Sequence, residues 1–157
     1  MTTYSARAID EPVLKELRAT DDAGRETTFV TDEEGGAPLR CCLRRSAPGE
    51  LIALVSYAPL RRWAAATGAD PGAYDEQGPV FIHAGECGGP RGDGDLPFTN
   101  AHRTLRRYSA AGRILGGRLV EDDFEAALTH AFDDPEVALV HVRAVEYGCF
   151  LYEVRRP

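Results

Sequence analysis

RILGGRLVEDDFEAALTHAFDDPEVALVHVRAVEYGCFLYEVR, residues 113–155, decides the fold, because it passes from a strand pattern to a helix pattern and back. Arg113 to Val120 reads as a strand. Glu121 to Asp133 reads as a helix: Glu121, Asp122 and Asp123 suit its positive N-terminal end, and Phe124, Ala127, Leu128 and Ala131 recur at core-facing spacing. Val137 to Val145 and Cys149 to Arg155 then form two strands round Glu146-Tyr147-Gly148. Strand, helix, strand and hairpin partner make a compact unit. Its crossover after Val120 should be right-handed if the strands it joins are parallel.

Working outward, Arg103 to Ser109 makes a hairpin with Arg113 to Val120 over Ala110-Ala111-Gly112. Pro79 to Ala84 is another strand, and Gly85 to Pro97 is a Gly- and Pro-rich loop. Leu60 to Thr67 is a short helix after Pro59, stopped by Gly68. Leu39 to Arg44 and Glu50 to Tyr57 read as two strands joined through Ser46-Ala47-Pro48-Gly49, with Leu51 to Val55 apolar on both faces like a central strand. Glu26 to Thr31 is a β-rich run, and Asp10 to Thr20 a short helix that Asp10 can cap. The expectation is an α+β protein of one domain over 1–157, with a mainly antiparallel or mixed sheet and two or three helices.

The chain has 157 residues, 43% hydrophobic and 27% charged, which suits a folded core and argues against wholesale disorder. A net charge of −7 lacks the positive field that nucleic acid or an anionic membrane requires, so neither is an expected partner. Lys15 is the only lysine among 18 basic residues, a bias read first as codon usage in a GC-rich genome and otherwise as selection for guanidinium forks. Met1 to Asp10 does not resemble a secretory signal, and no stretch is long and apolar enough to span a bilayer. Cys41, Cys42, Cys87 and Cys149 are too few and too irregular for a disulfide framework, so reduced thiols in a cytoplasmic protein are expected. On a strand, adjacent Cys41 and Cys42 would point to opposite faces.

The last hairpin gives the sharpest geometric inference. Ala138, Val140, Val142 and Ala144 form one apolar face, which leaves His141 and Arg143 on the other. With a three-residue loop, Val145 pairs with Cys149, Arg143 with Leu151 and His141 with Glu153. A carboxylate beside an imidazole fixes its tautomer and suits it to general-base work, though such a pair also occurs as plain surface pairing. His83, Cys87 and His102 could supply three zinc ligands, with Cys149, Cys41 or Cys42 as a fourth. With no CxxC or HExxH motif, no ligand set is assigned and no cofactor is expected. Cys149 after Gly148, and Cys42 near Arg40, Arg44 and Arg45, are candidate nucleophiles or ordinary core thiols. Arginines gather at Arg44-Arg45, Arg61-Arg62 and Arg103-Arg106-Arg107, either to hold an anionic metabolite or to balance surface acids. Trp63, Tyr57 and Tyr74 would line a pocket or belong to the core.

Several short segments in order resemble an uncharacterised bacterial family, the domain of unknown function numbered 1203. They are Leu39-Arg40-Cys41-Cys42-Leu43, Ala47-Pro48-Gly49-Glu50 leading to Leu54-Val55-Ser56-Tyr57, Gly78 to Ala84, Arg107-Tyr108 with Gly112-Arg113, and His141-Val142-Arg143 with Gly148-Cys149. The resemblance runs from about Pro38 to the C-terminus. It implies no activity, but it draws attention to Cys42, Tyr57, His83, His141 and Cys149.

The reading that follows is a small-molecule site on the sheet face carrying His141. His141, His83, Cys149 and Glu153 are the candidates for acid–base or nucleophilic work. Tyr57, Arg107, Arg143 and Cys42 are the candidates for holding an anionic substrate. The alternatives are a non-catalytic protein-interaction module, with a homodimer allowed, and a structural or regulatory zinc protein.

Overall fold

The computed structural model describes residues 4–92 and 94–157. Its α+β architecture has two antiparallel sheets and three α-helices, and the chain divides into two compact units. Among the described residues no helix is long and apolar enough to cross a membrane. The opening residues Met1 to Thr3 and Asp93 of the Gly85 to Pro97 loop lie outside the described residues.

One unit is built from residues 8–57 and 77–92. It holds α1 (Glu11–Leu17) and the strands β1 (Val30–Asp32), β2 (Glu50–Tyr57) and β3 (Gly78–His83). The strands form an antiparallel sheet in the order β1-β2-β3, so β2 is central as its apolar run predicts. Pro12 sits in the first turn of α1, while Leu14 and Leu17 supply its buried face. The Asp10 side chain makes no capping hydrogen bond; its carbonyl accepts from the Leu14 N–H instead.

Two expectations fail in this unit. The β-rich run at Glu26 to Thr31 forms a strand only as the three-residue β1, which starts at Val30, with Glu26 in an isolated bridge to Thr20. Leu39 to Arg44 is not a strand. Its backbone closes a turn, with the Leu43 N–H donating to the Leu39 carbonyl at 2.9 Å and the Leu39 N–H to that of Arg44 at 2.8 Å. Leu43 has φ +58°, a left-handed conformation that breaks strand alternation and that its residue type does not announce.

The other unit contains residues 58–76 and 94–157, with residues 4–7. It holds α2 (Pro59–Thr67), a 3-10 turn at Gly72–Tyr74, β4 (Arg103–Ser109), β5 (Ile114–Val120), α3 (Phe124–Phe132), β6 (Val137–Ala144) and β7 (Phe150–Arg155). The strand order is β5-β4-β6-β7. Because β5 and β6 are each antiparallel to β4, they run parallel to one another, and α3 connects them. Asp123 starts α3 by accepting the Ala126 N–H at 3.1 Å, so all three predicted acids precede the helix and the last of them caps it.

Alternation along β4 and β6 gives this sheet two distinct faces. Tyr108 and Leu139 pair across the strands and pack with Leu60 and Trp63 of α2 in a buried cluster, so Trp63 is core. The same face carries Arg106, His141 and Arg143. Gly112, at φ +83° in the hairpin turn, is needed because a Cβ there would lie 3.1 Å from Pro71.

The terminal hairpin keeps part of its predicted register. His141 faces Glu153 as counted, but a bulge between Val142 and Arg143 pairs Arg143 with Phe150, not Leu151. The expected Val145–Cys149 pair is replaced by an Ala144 N–H bond to the Cys149 carbonyl at 2.8 Å.

Candidate metal centre

The turn at Leu39 to Arg44 is what assembles a site. It docks beside β3: Leu39 bridges Phe81 in parallel, and the Arg40 N–H donates to the Phe81 carbonyl at 2.9 Å. A strand would have sent the Cys41 and Cys42 side chains to opposite faces. The turn instead buries both, each 1% exposed, with their sulfurs 4.0 Å apart. His83 ends β3 and directs Nδ1 at them, 3.3 Å from Cys41 Sγ and 3.9 Å from Cys42 Sγ. Cys87 joins from the loop that follows, and one donor atom from each of the four residues lies within 4.8 Å of the others.

The spacings among Cys41, Cys42 and His83 are close to those of a metal's coordination shell. A tetrahedral zinc with Zn–S of about 2.3 Å and Zn–N of about 2.0 Å sets its sulfurs roughly 3.8 Å apart and S···N roughly 3.5 Å. Three thiols and one imidazole also form a soft donor set, which selects zinc over magnesium or calcium. The cluster could bind a metal.

Surrounding groups hold the donors in place. The His83 Nε2 faces the Glu50 carboxylate, two residues before the β-pair Ile52–His83 and so on the same side of the sheet. That contact leaves Nδ1 as the nitrogen turned to the sulfurs, the usual support of a metal-bound imidazole. The His83 ring in turn holds the Glu50 carboxyl below the usual carboxylate range. Arg18 donates to the His83 carbonyl at 3.2 Å and the Gly85 carbonyl at 3.0 Å, and pairs with Glu11 at 2.7 Å. It thereby pins the start of the segment that carries Cys87. The His83 N–H points at Cys41 Sγ, 3.3 Å away.

The two adjacent thiols do not titrate alike. The Cys41 S–H, with help from Arg44, supports a thiolate on Cys42 and draws its pKa down to about 5, against the opposing effect of burial. Cys41, beside that sulfur and buried, is pushed up. Without metal the doublet thus holds one thiolate readily and resists a second, so a metal that binds both sulfurs must displace a proton.

The predicted site residues divide between the two units. Cys42 and His83 belong to the cluster. Tyr57 ends β2 opposite Gly78 and is largely buried. His141, Glu153, Cys149, Arg107 and Arg143 belong to the four-stranded unit. Of the ligands considered from sequence, His83 and Cys87 join the cluster with both cysteines of the doublet, while His102 and Cys149 belong to the other unit.

The His141–Glu153 pair forms, with Nε2 3.1 Å from Oε1, but it is not a surface pair: His141 is 1% exposed. Its ring lies 4.9 Å from that of Tyr108 and 5.0 Å from that of Phe150. Burial pushes the imidazole pKa down and favours the neutral form. Burial also raises that of Glu153, but His141 and Arg155 outweigh it and the net shift is downward. Arg107 lies across Gly116, where a Cβ would collide with its guanidinium, on the face opposite Arg106. Cys149 is half-buried, after Gly148 at φ +74°. Sequence reasoning missed Glu50 and Arg18, for which no motif exists.

A family model described as a protein of unknown function, DUF1203, matches residues 36–156. No curated protein and no solved structure matches the chain.

Proposed function

The chain belongs to the DUF1203 family, which has no assigned activity, and from its own residues we propose that it is a zinc protein whose metal is held by Cys41, Cys42, His83 and Cys87. One observation carries this reading: four soft donors from a turn, a strand end and a loop lie within 4.8 Å of one another. The turn and the loop are separated by more than forty residues of chain, so local sequence does not account for the meeting.

The role is structural. Four protein ligands close a tetrahedral zinc and leave no position for water or substrate, whereas catalytic zinc keeps one open. Metal binding would tie the turn, the end of β3 and the Cys87 loop into one piece. Zinc ligation occupies Cys42 and His83, and so argues against their use as free nucleophile and base.

Metal analysis of protein purified without chelator, and cobalt substitution, test this. One zinc per chain is expected, with cobalt giving the visible bands of tetrahedral thiolate coordination. Cys42→Ser and Cys87→Ser should each lose the metal. Zinc well below one per chain after loading, or full retention by both variants, refutes the site.

A further inference from the structure

Away from the metal cluster, the His141 face of the four-stranded sheet gathers positive charge. Arg106 on β4 pairs with His141 on β6, and Arg143 lies two residues beyond it, so both guanidiniums project from one face as diagonal neighbours. They share one carboxylate. Arg106 Nη1 reaches both oxygens of Glu76, at 2.9 and 3.0 Å, whereas Arg143 Nη2 stands 3.8 Å from the nearer one. The Arg143 Nε is anchored on the Gly148 carbonyl at 2.8 Å, which aims the rest of the fork at Glu76.

The charges do not balance. Two guanidiniums meet one carboxylate, and the Glu153 carboxylate beside them is engaged by His141 and by Arg155 at 2.7 Å. His141, kept neutral by burial, adds no further positive charge. The arginine side chains are 28% and 14% exposed, so water screens their repulsion only in part. Burial and the neighbouring Arg106 charge accordingly push the Arg143 pKa down. Glu76 itself is 50% exposed and comes from the connection between the Gly72–Tyr74 turn and β3.

We propose that Arg106 and Arg143 form a binding site for a small oxyanion, a carboxylate or a phosphate, and that Glu76 is its exchangeable occupant. Paired guanidinium forks suit the planar or trigonal oxygens of either group. The Glu76 carboxylate already satisfies Arg106 and leaves Arg143 long. A free anion carries more oxygens or a second charge and can reach both. Tyr108 backs the site from the same face. Of the arginines considered from sequence, Arg143 takes part in this proposal, while Arg107 lies on the opposite face of the sheet.

The test titrates the wild-type protein, Glu76→Gln and Arg143→Gln with sodium phosphate and sodium succinate, against sodium chloride at matched ionic strength. Thermal stability and calorimetry are the readouts. Saturable binding to wild type is expected, tightened roughly tenfold in Glu76→Gln and weakened at least tenfold in Arg143→Gln. The anion that binds more tightly assigns the ligand class. If wild type and Glu76→Gln respond to both anions only as they do to chloride, the site does not exist. That comparison decides even if Arg143→Gln fails to fold.

Discussion

Glu50 offers the most discriminating perturbation of the metal cluster, because it touches no thiol and yet orients the one imidazole. Its carboxylate accepts from His83 Nε2, leaving Nδ1 to face Cys41 and Cys42. Removing such a partner from a metal-bound histidine costs about 10- to 100-fold in affinity. The Glu50 side chain is 35% exposed, so water takes over part of its role, and solvent screening pulls the effect toward the lower end. Glu50→Gln keeps an acceptor oxygen and loses the charge. It should weaken zinc binding about tenfold, equivalent to roughly 1.4 kcal/mol. Glu50→Ala loses both and should lie nearer a hundredfold. Competition between zinc-loaded protein and a chromophoric chelator at fixed pH measures each constant. The expected order is wild type tightest, then Glu50→Gln, then Glu50→Ala, with Cys87→Ser far weaker than all three. If Glu50→Ala holds zinc as tightly as wild type while Cys87→Ser releases it, Glu50 does not orient the ligand, and the tautomer argument fails.

Acidification acts through the His141–Glu153 pair. Burial holds the folded imidazole below its ordinary 6.5, so below that pH the unfolded chain binds a proton that the folded one refuses. Stability is therefore full above about pH 6.5 and falls on acidification, by at most about 1.4 kcal/mol per pH unit for the one proton. The lowered Glu153 adds a further loss as pH drops below its ordinary 4.5. His141→Gln should flatten the slope between pH 7 and 5 relative to wild type in urea titrations, and an unchanged slope would show that His141 already protonates in the folded state. Gly35→Ala should destabilise the chain by about 2 kcal/mol or more, since a left-handed alanine costs roughly 1–2 kcal/mol before any clash. Its Cβ would also lie 2.8 Å from Pro48 Cδ at φ +77°. A denaturation midpoint within error of wild type would contradict this.

Most of the fold was legible because its strands and helices obey simple periods. The closing strands alternate, α3 repeats its apolar residues at helical spacing, and Gly68 and Gly112 stand where chain reversals need them. Counting from a three-residue loop even found the His141–Glu153 pair. The count failed two residues away, where the bulge after Val142 shifts Arg143 onto Phe150. A bulge leaves no mark in residue type unless glycine makes it. Burial of the pair was equally invisible, because the ring of Tyr108 that packs on His141 comes from another strand. The four-donor cluster was obscured by a single misread element. Leu39-Arg40-Cys41-Cys42-Leu43 looks like a strand, but the chain coils through it, with the Leu43 N–H closing on the Leu39 carbonyl, and no glycine or asparagine signals the left-handed Leu43 that ends the turn.

That misreading identifies what the metal would do. Leu43 adopts its conformation at a local cost of about 1–2 kcal/mol, so the turn is not held by its own propensity. Its observed supports include the Arg40 N–H bond to Phe81, the Ile9 N–H bond to Arg40, the Leu43 N–H bond to Leu39, the Leu39 N–H bond to Arg44 and the buried doublet. Zinc would add bonds from both thiols to His83 and Cys87, joining the turn to β3 across the same gap. Chelation should therefore loosen the turn before the sheet. At free zinc a hundredfold above Kd, the metal stabilises the folded chain by about 2.7 kcal/mol. For a chain of this size that corresponds to roughly 5–10 °C in Tm. Amide exchange separates the local effect from the global one. The Arg40 and Leu43 amides should lose protection on chelation well beyond the change at Ile82 and Val80, whose strand ladder with β2 needs no metal. A uniform loss across both sets would mean that the unit unfolds as a whole without zinc. No change at Arg40 and Leu43, with Tm unmoved, would mean that the turn stands without a metal and that the four donors meet for packing alone.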